Sequence, residues 1–259
     1  MSTFLFDEII FGPIHSRRLG VSLGINLLPV DGKICSFDCI YCECGLNAER
    51  RTRSKLPSRS VVKDALKNKL QKMCTEGVKP DVITFAGNGE PTMHPEFAGI
   101  VDDTIELRNQ LCPDARIAVL SNATMLHKPD VFAALNKIED NILKLDSVLD
   151  SRIRQLNVPN APSFNFAALK EQLMRFNGNL IIQTMFITGQ YKGESVDNTT
   201  EEEIGGWLEA LKEIKPKQVM IYTIDRDTPV KGLKKIAKEK LELIADKVKS
   251  IGLDVSVSA

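Results

Sequence analysis

The chain has 259 residues, of which 43% are hydrophobic and 26% are charged, and equal numbers of basic and acidic residues give it zero net charge. This composition is typical of a globular protein with an ample core and argues against a dedicated nucleic-acid coat protein, while a local basic patch is still compatible with it. No apolar run approaches the ~20 residues of a membrane helix. Residues 1–11 carry Asp7 and Glu8 and no basic stretch, so we expect neither a membrane span nor a signal peptide.

Short apolar runs along the chain predict six strands. They lie at residues 21–28, 81–85, 116–120, 141–145, 180–184 and 218–222, and residues 253–257 are a candidate for a short last strand. Each run is bounded by turn residues or by an amphipathic segment, as expected for buried strands.

Helices are predicted between these strands from apolar periodicity and capping residues. Ser60 is the predicted cap of a helix whose apolar positions are Val62, Leu66, Leu70 and Met73. Further helices are predicted to start near Pro129, at Ser163 and at Thr200, where Glu203 completes a capping box. A last helix is predicted over residues 235–250.

Strands that alternate with helices predict an α/β fold built on a parallel sheet. A closed eight-fold barrel takes about 250 residues, and this chain spends many residues before and after its first strand. We therefore predict a partial (β/α)6 TIM-like barrel. The predicted organisation is one domain, residues 1–259, with an N-terminal extension at 1–20 and a loop at 29–59.

The most informative stretch of the sequence lies in this loop, where Cys35, Cys39 and Cys42 have the spacing C-x3-C-x2-C. Thiolates this close can bind one metal centre, and six cysteines without a secretion signal favour a reducing cytoplasm, where metal binding is the default. Three cysteines suggest a 4Fe-4S cluster whose fourth iron is open, because a fully ligated cluster takes four. A zinc site that also uses Cys44 is the alternative, although zinc sites usually pair two separated knuckles.

Polar residues follow the predicted strands at the barrel edge where binding groups of parallel barrels collect. They are Gly87, Asn88, Gly89 and Glu90 after the second strand, Ser121 and Asn122 after the third, Lys144 and Asp146 after the fourth, Gln183 on the fifth, and Tyr222 on the sixth. Asp225 and Arg226 follow Tyr222 and are candidate substrate contacts.

A basic segment follows the cysteines. Residues 49–72 contain nine basic and two acidic residues, beginning with Arg50, Arg51, Arg53 and Lys55. A solvated loop and helix face is one interpretation, and a contact to a phosphate-bearing substrate or RNA is the other.

The ordered motifs SRRLG-x-SLGI, CSFDCIYC, GNGEPT, LSNAT, KLDS and YTIDRDTP together resemble the radical S-adenosylmethionine (radical SAM) superfamily. Within it, they look like a compact family of Fe-S oxidoreductases related to the tRNA-wyosine synthases. The resemblance implies a radical SAM core in which three cysteines hold the cluster and its open iron chelates SAM. It also implies that Glu90 belongs to the motif that holds the SAM amino group, that Tyr41 lies near the adenine, and that the other strand-end residues contact SAM. The form GNGEP has one residue more than the common GGEP, and Cys44, Cys74 and Cys112 form no second cluster pattern.

The resemblance therefore implies a cytoplasmic enzyme that cleaves SAM reductively and starts radical chemistry on a substrate, with no residue assigned to the catalytic step. The implied cofactors are a 4Fe-4S cluster and SAM, and the implied partner is an electron donor such as flavodoxin or ferredoxin. The basic segment favours a nucleotide or tRNA base over a peptide as substrate. The alternatives are a non-catalytic iron–sulfur or zinc protein, and a radical SAM activase or modifier of a peptide or protein.

Overall fold

A computed structural model describes residues 3–16 and 19–259, and these residues form two compact units. The first unit comprises residues 5–35 and 47–141, and the second comprises residues 3–4, 36–46 and 142–259. Arg17 and Arg18 of the SRRLG motif lie outside the described residues. The single domain expected from the sequence stays a prediction.

The first unit contains four strands in the order β1-β2-β3-β4. Strands β1 and β2 pair antiparallel, whereas β2, β3 and β4 pair parallel. Its elements are β1 (Ile10–Ser16), β2 (Gly20–Ile25), α1 (Arg59–Thr75), β3 (Val82–Phe85), a 3-10 turn (Pro91–Met93), α2 (Phe97–Leu111), β4 (Arg116–Ser121) and α3 (Pro129–Leu135).

The second unit contains the remaining elements and has two sets of paired strands. They are β5 (Asp140–Lys144, which begins in the first unit), α4 (Asp150–Leu156), α5 (Phe166–Met174), β6 (Ile181–Met185), β7 (Ile187–Tyr191), β8 (Glu194–Asp197), α6 (Glu201–Ile214), β9 (Gln218–Tyr222), β10 (Leu233–Lys235), α7 (Lys238–Ser250) and β11 (Val255–Ser258). Strands β5, β6, β9 and β11 pair parallel in that order. Strands β10, β7 and β8 form a separate antiparallel sheet.

The parallel strands and the helices between them agree with the predicted βα alternation, and all six predicted strands are present. The parallel strands are buried because helices cover the faces of a parallel sheet. Their sequences are therefore continuous apolar runs. Ile83, Ile117, Leu143, Ile182 and Ile221 are all at most 1% exposed.

Two of the predicted helix caps are wrong. Helix α1 is capped by Ser58, whose side chain accepts a hydrogen bond from the Val61 N–H, and Ser60 lies inside the first turn. Helix α5 is capped by Asn165 instead of Ser163, since Asn165 Oδ1 accepts from the Ala168 N–H at 2.9 Å. Serine and asparagine cap helices about equally well, so the sequence alone did not separate these neighbours.

The cap of α6 is confirmed, because the Thr200 side chain accepts from the Glu203 N–H at 3.3 Å. Glu203 does not complete the capping box. Its carboxylate accepts instead from Ser147 Oγ at 2.7 Å and Arg152 Nε at 3.0 Å, which ties α6 to the segment after β5. In the parts of the chain that the structure describes, no helix is long and apolar enough to cross a membrane.

Candidate functional site

The first unit holds Cys35 through the backbone on either side of the glycine turn after β3. The Ile34 N–H donates to Asn88 O at 3.1 Å, and the Glu90 N–H donates to Ile34 O at 3.0 Å. Gly89 lies between these bonds with φ +130, and a Cβ there would meet Ile34 O at 1.9 Å. Only glycine therefore allows the two segments to come this close.

Glu90 is 2% exposed, and its carboxylate is the centre of a hydrogen-bond cluster. Its Oε1 accepts from the Thr92 N–H at 3.1 Å, from Thr92 Oγ1 at 2.5 Å and from Ser121 Oγ at 2.8 Å. Its Oε2 accepts from the Asn122 N–H at 2.6 Å. Burial raises the pKa of Glu90, and the four donors oppose that shift. Glu90 thus joins the ends of β3 and β4, and its Oε2 accepts one of the four hydrogen bonds.

Asn88 is fully buried, and its side chain serves the N-terminal segment. Asn88 Oδ1 accepts from the Phe6 N–H at 2.8 Å, and Nδ2 donates to Phe6 O at 2.8 Å and Pro29 O at 2.9 Å. Asn88 is therefore hydrogen-bonded to the segment around Phe6 and to Pro29. Its contact with a cofactor stays a prediction.

Asn122 links the end of β4 to Cys35. Its Oδ1 accepts from the Thr124 N–H and hydroxyl at 3.1 and 2.7 Å, which fixes the side chain. Its Nδ2 then lies 3.6 Å from Cys35 Sγ and donates to the sulfur. Ser121 and Asn122, both predicted site residues, thus contact Glu90 and Cys35 respectively.

The second unit holds Cys39 and Cys42 in a tight turn, in which the Cys42 N–H donates to Cys39 O at 3.1 Å. Cys39 is buried, and Cys42 is half-buried. The Asp38 and Ile40 N–H groups donate to Asn157 O and Leu156 O, both at 3.0 Å, so the turn is fastened to the end of α4. Burial raises the pKa of the Cys39 thiol to about 11.

A buried polar cluster, which we call the Tyr41 network, lies beside Cys39 and comprises Tyr41, Lys144, Asp146 and Asn157. The Tyr41 hydroxyl donates to Asp146 Oδ2 and accepts from Lys144 Nζ at 3.0 Å. Lys144 Nζ also lies 3.4 Å from Asp146 Oδ2. Asn157 Nδ2 donates to Asp146 Oδ2 at 2.6 Å and to the Tyr41 hydroxyl at 3.0 Å.

Burial and charge set the protonation states in this network. Burial alone would lower the pKa of Lys144, but Asp146, Tyr222 and Cys39 together outweigh the effect of burial, and the pKa is raised. The pKa of the Tyr41 hydroxyl is also raised, first by burial and then by Asp146. These two shifts favour a charged Lys144 and a neutral Tyr41 hydroxyl at neutral pH.

Gln183 and Tyr222 lie on the same sheet face as Lys144. Gln183 is the register partner of Lys144 across β5 and β6, and Tyr222 lies two residues beyond Met220, the partner of Gln183 on β9. Side chains two residues apart on a strand share a face. Three predicted cofactor contacts therefore point to one side of the second unit.

The predicted substrate residues are at the surface. Arg51, Arg53 and Lys55 are exposed, and Arg50 is half-buried. Further along the basic segment, Arg59 and Lys63 are engaged by Asp103, at 2.6 and 3.1 Å. Asp225 and Arg226 form ion pairs too, with Lys235 at 3.6 Å and with Glu43 at 2.9 Å.

Sequence reasoning missed Asn157, whose Nδ2 also lies 3.6 Å from Cys39 Sγ. It follows a short helix and belongs to no motif, and its partner is 118 positions away. In residues 3–16 and 19–259, no three His, Cys, Asp or Glu side chains lie close enough to share a single metal ion. A 4Fe-4S cluster places its thiolates on different iron atoms, so this finding does not concern it.

The family model of the Radical SAM superfamily matches residues 30–148 of the chain. A UPF0026 protein of Methanocaldococcus jannaschii is 31% identical over 240 residues, which cover 91% of this chain and 68% of the relative.

Solved structures are similar at lower identity. SuiB of Streptococcus suis bound to S-adenosylmethionine matches with a TM-score of 0.63 and 16% identity over 88% of this chain and 49% of SuiB. The chain thus spans about half the length of SuiB. TYW1 with a lysine-pyruvate adduct bound matches with a TM-score of 0.59 and 14% identity over 88% of this chain and 73% of TYW1. Likenesses at these identities concern the fold, and they confirm the predicted α/β fold with a partial barrel of parallel strands.

Proposed function

The chain belongs to the radical SAM superfamily, and from this premise we propose that it is an enzyme that uses a 4Fe-4S cluster to cleave SAM reductively and start radical chemistry on a substrate. Cys35, Cys39 and Cys42 are the proposed iron ligands. Cytoplasmic location and an electron donor such as flavodoxin or ferredoxin belong to the same proposal.

The observation that carries the proposal is that two of the three motif cysteines each accept a hydrogen bond from a fixed amide. Asn122 donates to Cys35 Sγ and Asn157 donates to Cys39 Sγ, both at 3.6 Å. Soft thiolate ligands suit iron–sulfur clusters, and N–H donors to the sulfurs are the usual surroundings of such clusters. The donor set of this chain therefore fits the cluster.

Glu90 and Lys144 are proposed SAM contacts, because the amino acid part of SAM carries an ammonium and a carboxylate. In the first unit, Glu90 Oε2 accepts one hydrogen bond in the structure and could accept another from an ammonium. In the second unit, Lys144 lies 3.4 Å from Asp146, and an ammonium has three hydrogens with which it can donate to more than one acceptor. Gly87, Asn88, Gly89, Ser121, Asn122, Asp146, Gln183, Tyr41 and Tyr222 complete the proposed SAM contacts.

When bound, the cluster and SAM supply the electron transfer, the sulfonium cleavage and the hydrogen abstraction. The residues of the chain bind and orient these groups. Burial of Glu90, Asp146 and Asn157, each at most 3% exposed, keeps water away from the polar groups around them.

The test of this proposal is anaerobic reconstitution with iron and sulfide. We expect about four irons per chain, a visible absorbance that changes on adding SAM, and 5′-deoxyadenosine after reduction. Cys74→Ala is the control variant, since Cys74 lies on the exposed end of α1. A colourless protein with one zinc would instead support the metal-binding alternative, and a complete cluster without a SAM response would support an electron carrier.

For the substrate, we propose a nucleotide or a tRNA base. The support is the exposed basic residues Arg51, Arg53 and Lys55, since basic residues that contact phosphates release counterions and make binding salt-dependent. Replacing these three and Arg50 by glutamine should weaken tRNA retention on filters and flatten its salt dependence, while SAM cleavage without substrate stays unchanged. If the wild type retains no tRNA at low salt, a peptide or small molecule becomes the substrate to test.

A further inference from the structure

Asn157 holds the Cys39 turn from two directions. Its main-chain oxygen accepts from the Asp38 N–H at 3.0 Å, and its own N–H donates to Ile153 O at 2.8 Å, which anchors it to α4. Its side chain is 2% exposed and reaches the Cys39 sulfur. The amide is therefore fixed in place by contacts within the protein.

The Asn157 side chain also connects the Cys39 sulfur to the other members of the Tyr41 network. Its Nδ2 has three acceptors, Asp146 Oδ2 at 2.6 Å, the Tyr41 hydroxyl at 3.0 Å and Cys39 Sγ at 3.6 Å. An amide nitrogen has two hydrogens. Asp146 takes one of them at short distance, and the Tyr41 oxygen and Cys39 sulfur share the other.

Resting on the function proposed above, we propose that Asn157 is a positioning residue that raises the reduction potential of the cluster bound through Cys39 by donating a hydrogen bond to its sulfur.

The direction follows from charge. Reduction adds one electron to the cluster, and an N–H dipole pointing at a ligand sulfur stabilises the added negative charge. The other charges in the network are the Lys144 ammonium and the Asp146 carboxylate, which pair with each other at 3.4 Å. Within this network it is the amide of Asn157 that contacts the Cys39 sulfur, at 3.6 Å, so its N–H dipole acts directly on the cluster ligand.

The experiment measures the midpoint potential of the reconstituted protein in an anaerobic redox titration followed by electron paramagnetic resonance. The first variant is Asn157→Leu, which has similar length and no donor. The second is Asn157→Asp, which keeps the shape but faces the sulfur with an oxygen. The control is Asn160→Leu, because Asn160 lies in the same loop with an exposed side chain.

We expect all four proteins to bind the same amount of iron. At a fixed applied potential, the ratio of reduced to oxidised cluster should fall roughly tenfold in Asn157→Leu, which equals a shift of about 59 mV to more negative potential for one electron. Asn157→Asp should shift further in the same direction, and Asn160→Leu should match the wild type.

Two results would overturn the inference while leaving the proposed function intact. One is an unchanged potential in a variant that retains its cluster. The other is loss of the cluster in both Asn157 variants at a wild-type melting temperature, which would make Asn157 a residue for cluster assembly. Failure of the wild type to bind any cluster would instead contradict the proposed function.

Discussion

Replacing Asn141 by valine should stabilise the protein. Asn141 is fully buried in β5, and neither polar atom of its side chain has a hydrogen-bond partner among the described residues. An unsatisfied buried polar group costs about 1–3 kcal/mol, and a β-branched residue also suits a buried strand. We therefore expect Asn141→Val to raise the free energy of unfolding by about 1–3 kcal/mol.

Asn26→Val is a matched control, for which we expect a change in the free energy of unfolding of the opposite sign. Asn26 is also fully buried, and its Nδ2 also lacks a partner among the described residues. However, its Oδ1 accepts from the Leu28 N–H at 3.2 Å and the Asn88 N–H at 3.1 Å. Asn26→Val would leave two buried backbone donors unpaired, so we expect a loss of about 1–3 kcal/mol.

The assay is urea unfolding of the wild type and both variants, followed by circular dichroism under identical conditions. Thermal melting should move in the same directions, by roughly 2–4 °C for each kcal/mol in a chain of this size. Stability below that of the wild type in Asn141→Val would refute the reasoning. Equal effects of the two variants would show that asparagine burial by itself, and not hydrogen bonding, sets the change.

Three further outcomes are expected. Alanine at Cys35, Cys39 or Cys42 should abolish the visible absorbance of the reconstituted protein, whereas alanine at Cys44, Cys74 or Cys112 should preserve it; loss of absorbance in Cys44→Ala would mean that the protein itself ligates the fourth iron. Glu90→Gln should keep the cluster and weaken SAM binding about ten- to hundred-fold in calorimetry, because a charge-assisted hydrogen bond is worth roughly 1.5–3 kcal/mol; unchanged affinity would remove Glu90 from the SAM site. Asp103→Asn should cost about 1 kcal/mol at neutral pH, a value reduced by the exposure of Arg59 and Lys63. The hydrogen bond from Arg59 lowers the pKa of Asp103 below 3.8, so its stabilisation is present above that value and is lost as pH falls through the folded-state pKa; a destabilisation by Asp103→Asn that persists in strong acid would contradict this.

The sequence was sufficient to predict the parallel strands, because their burial makes them continuous apolar runs. It did not predict the sheet of β7, β8 and β10. Those strands are short and partly exposed, and β10 pairs with β7 through residues more than 40 positions apart, such as Leu233 and Gly189. Pairing of that kind depends on the turns that bring the strands together, and the spacing of apolar residues in the sequence does not predict it.

The same limit applies to the site. Spacing predicted Cys35, Cys39 and Cys42 as cluster ligands, because residues close in sequence can bind one centre, and this assignment stays a prediction. Asn157 contacts Cys39 only because α4 ends beside the turn, and the sequence around Asn157 has no pattern that indicates it. The full use of the Asn88 side chain by Phe6 and Pro29 likewise depends on where the N-terminal segment lies.

Ile34 and Gly89 form an isolated parallel β-bridge, and this bridge determines how the site tolerates substitutions. Cys35 and Glu90 are each one residue beyond this bridge, so the same two backbone hydrogen bonds set the positions of both. Backbone hydrogen bonds do not depend on the side chain of the residue. Most substitutions at Ile34 would therefore leave Cys35 and Glu90 in the same positions relative to each other. Any side chain at Gly89 would instead push both away from their places at once. A single position thus decides whether a proposed metal ligand and a proposed cofactor contact in this unit are lost together.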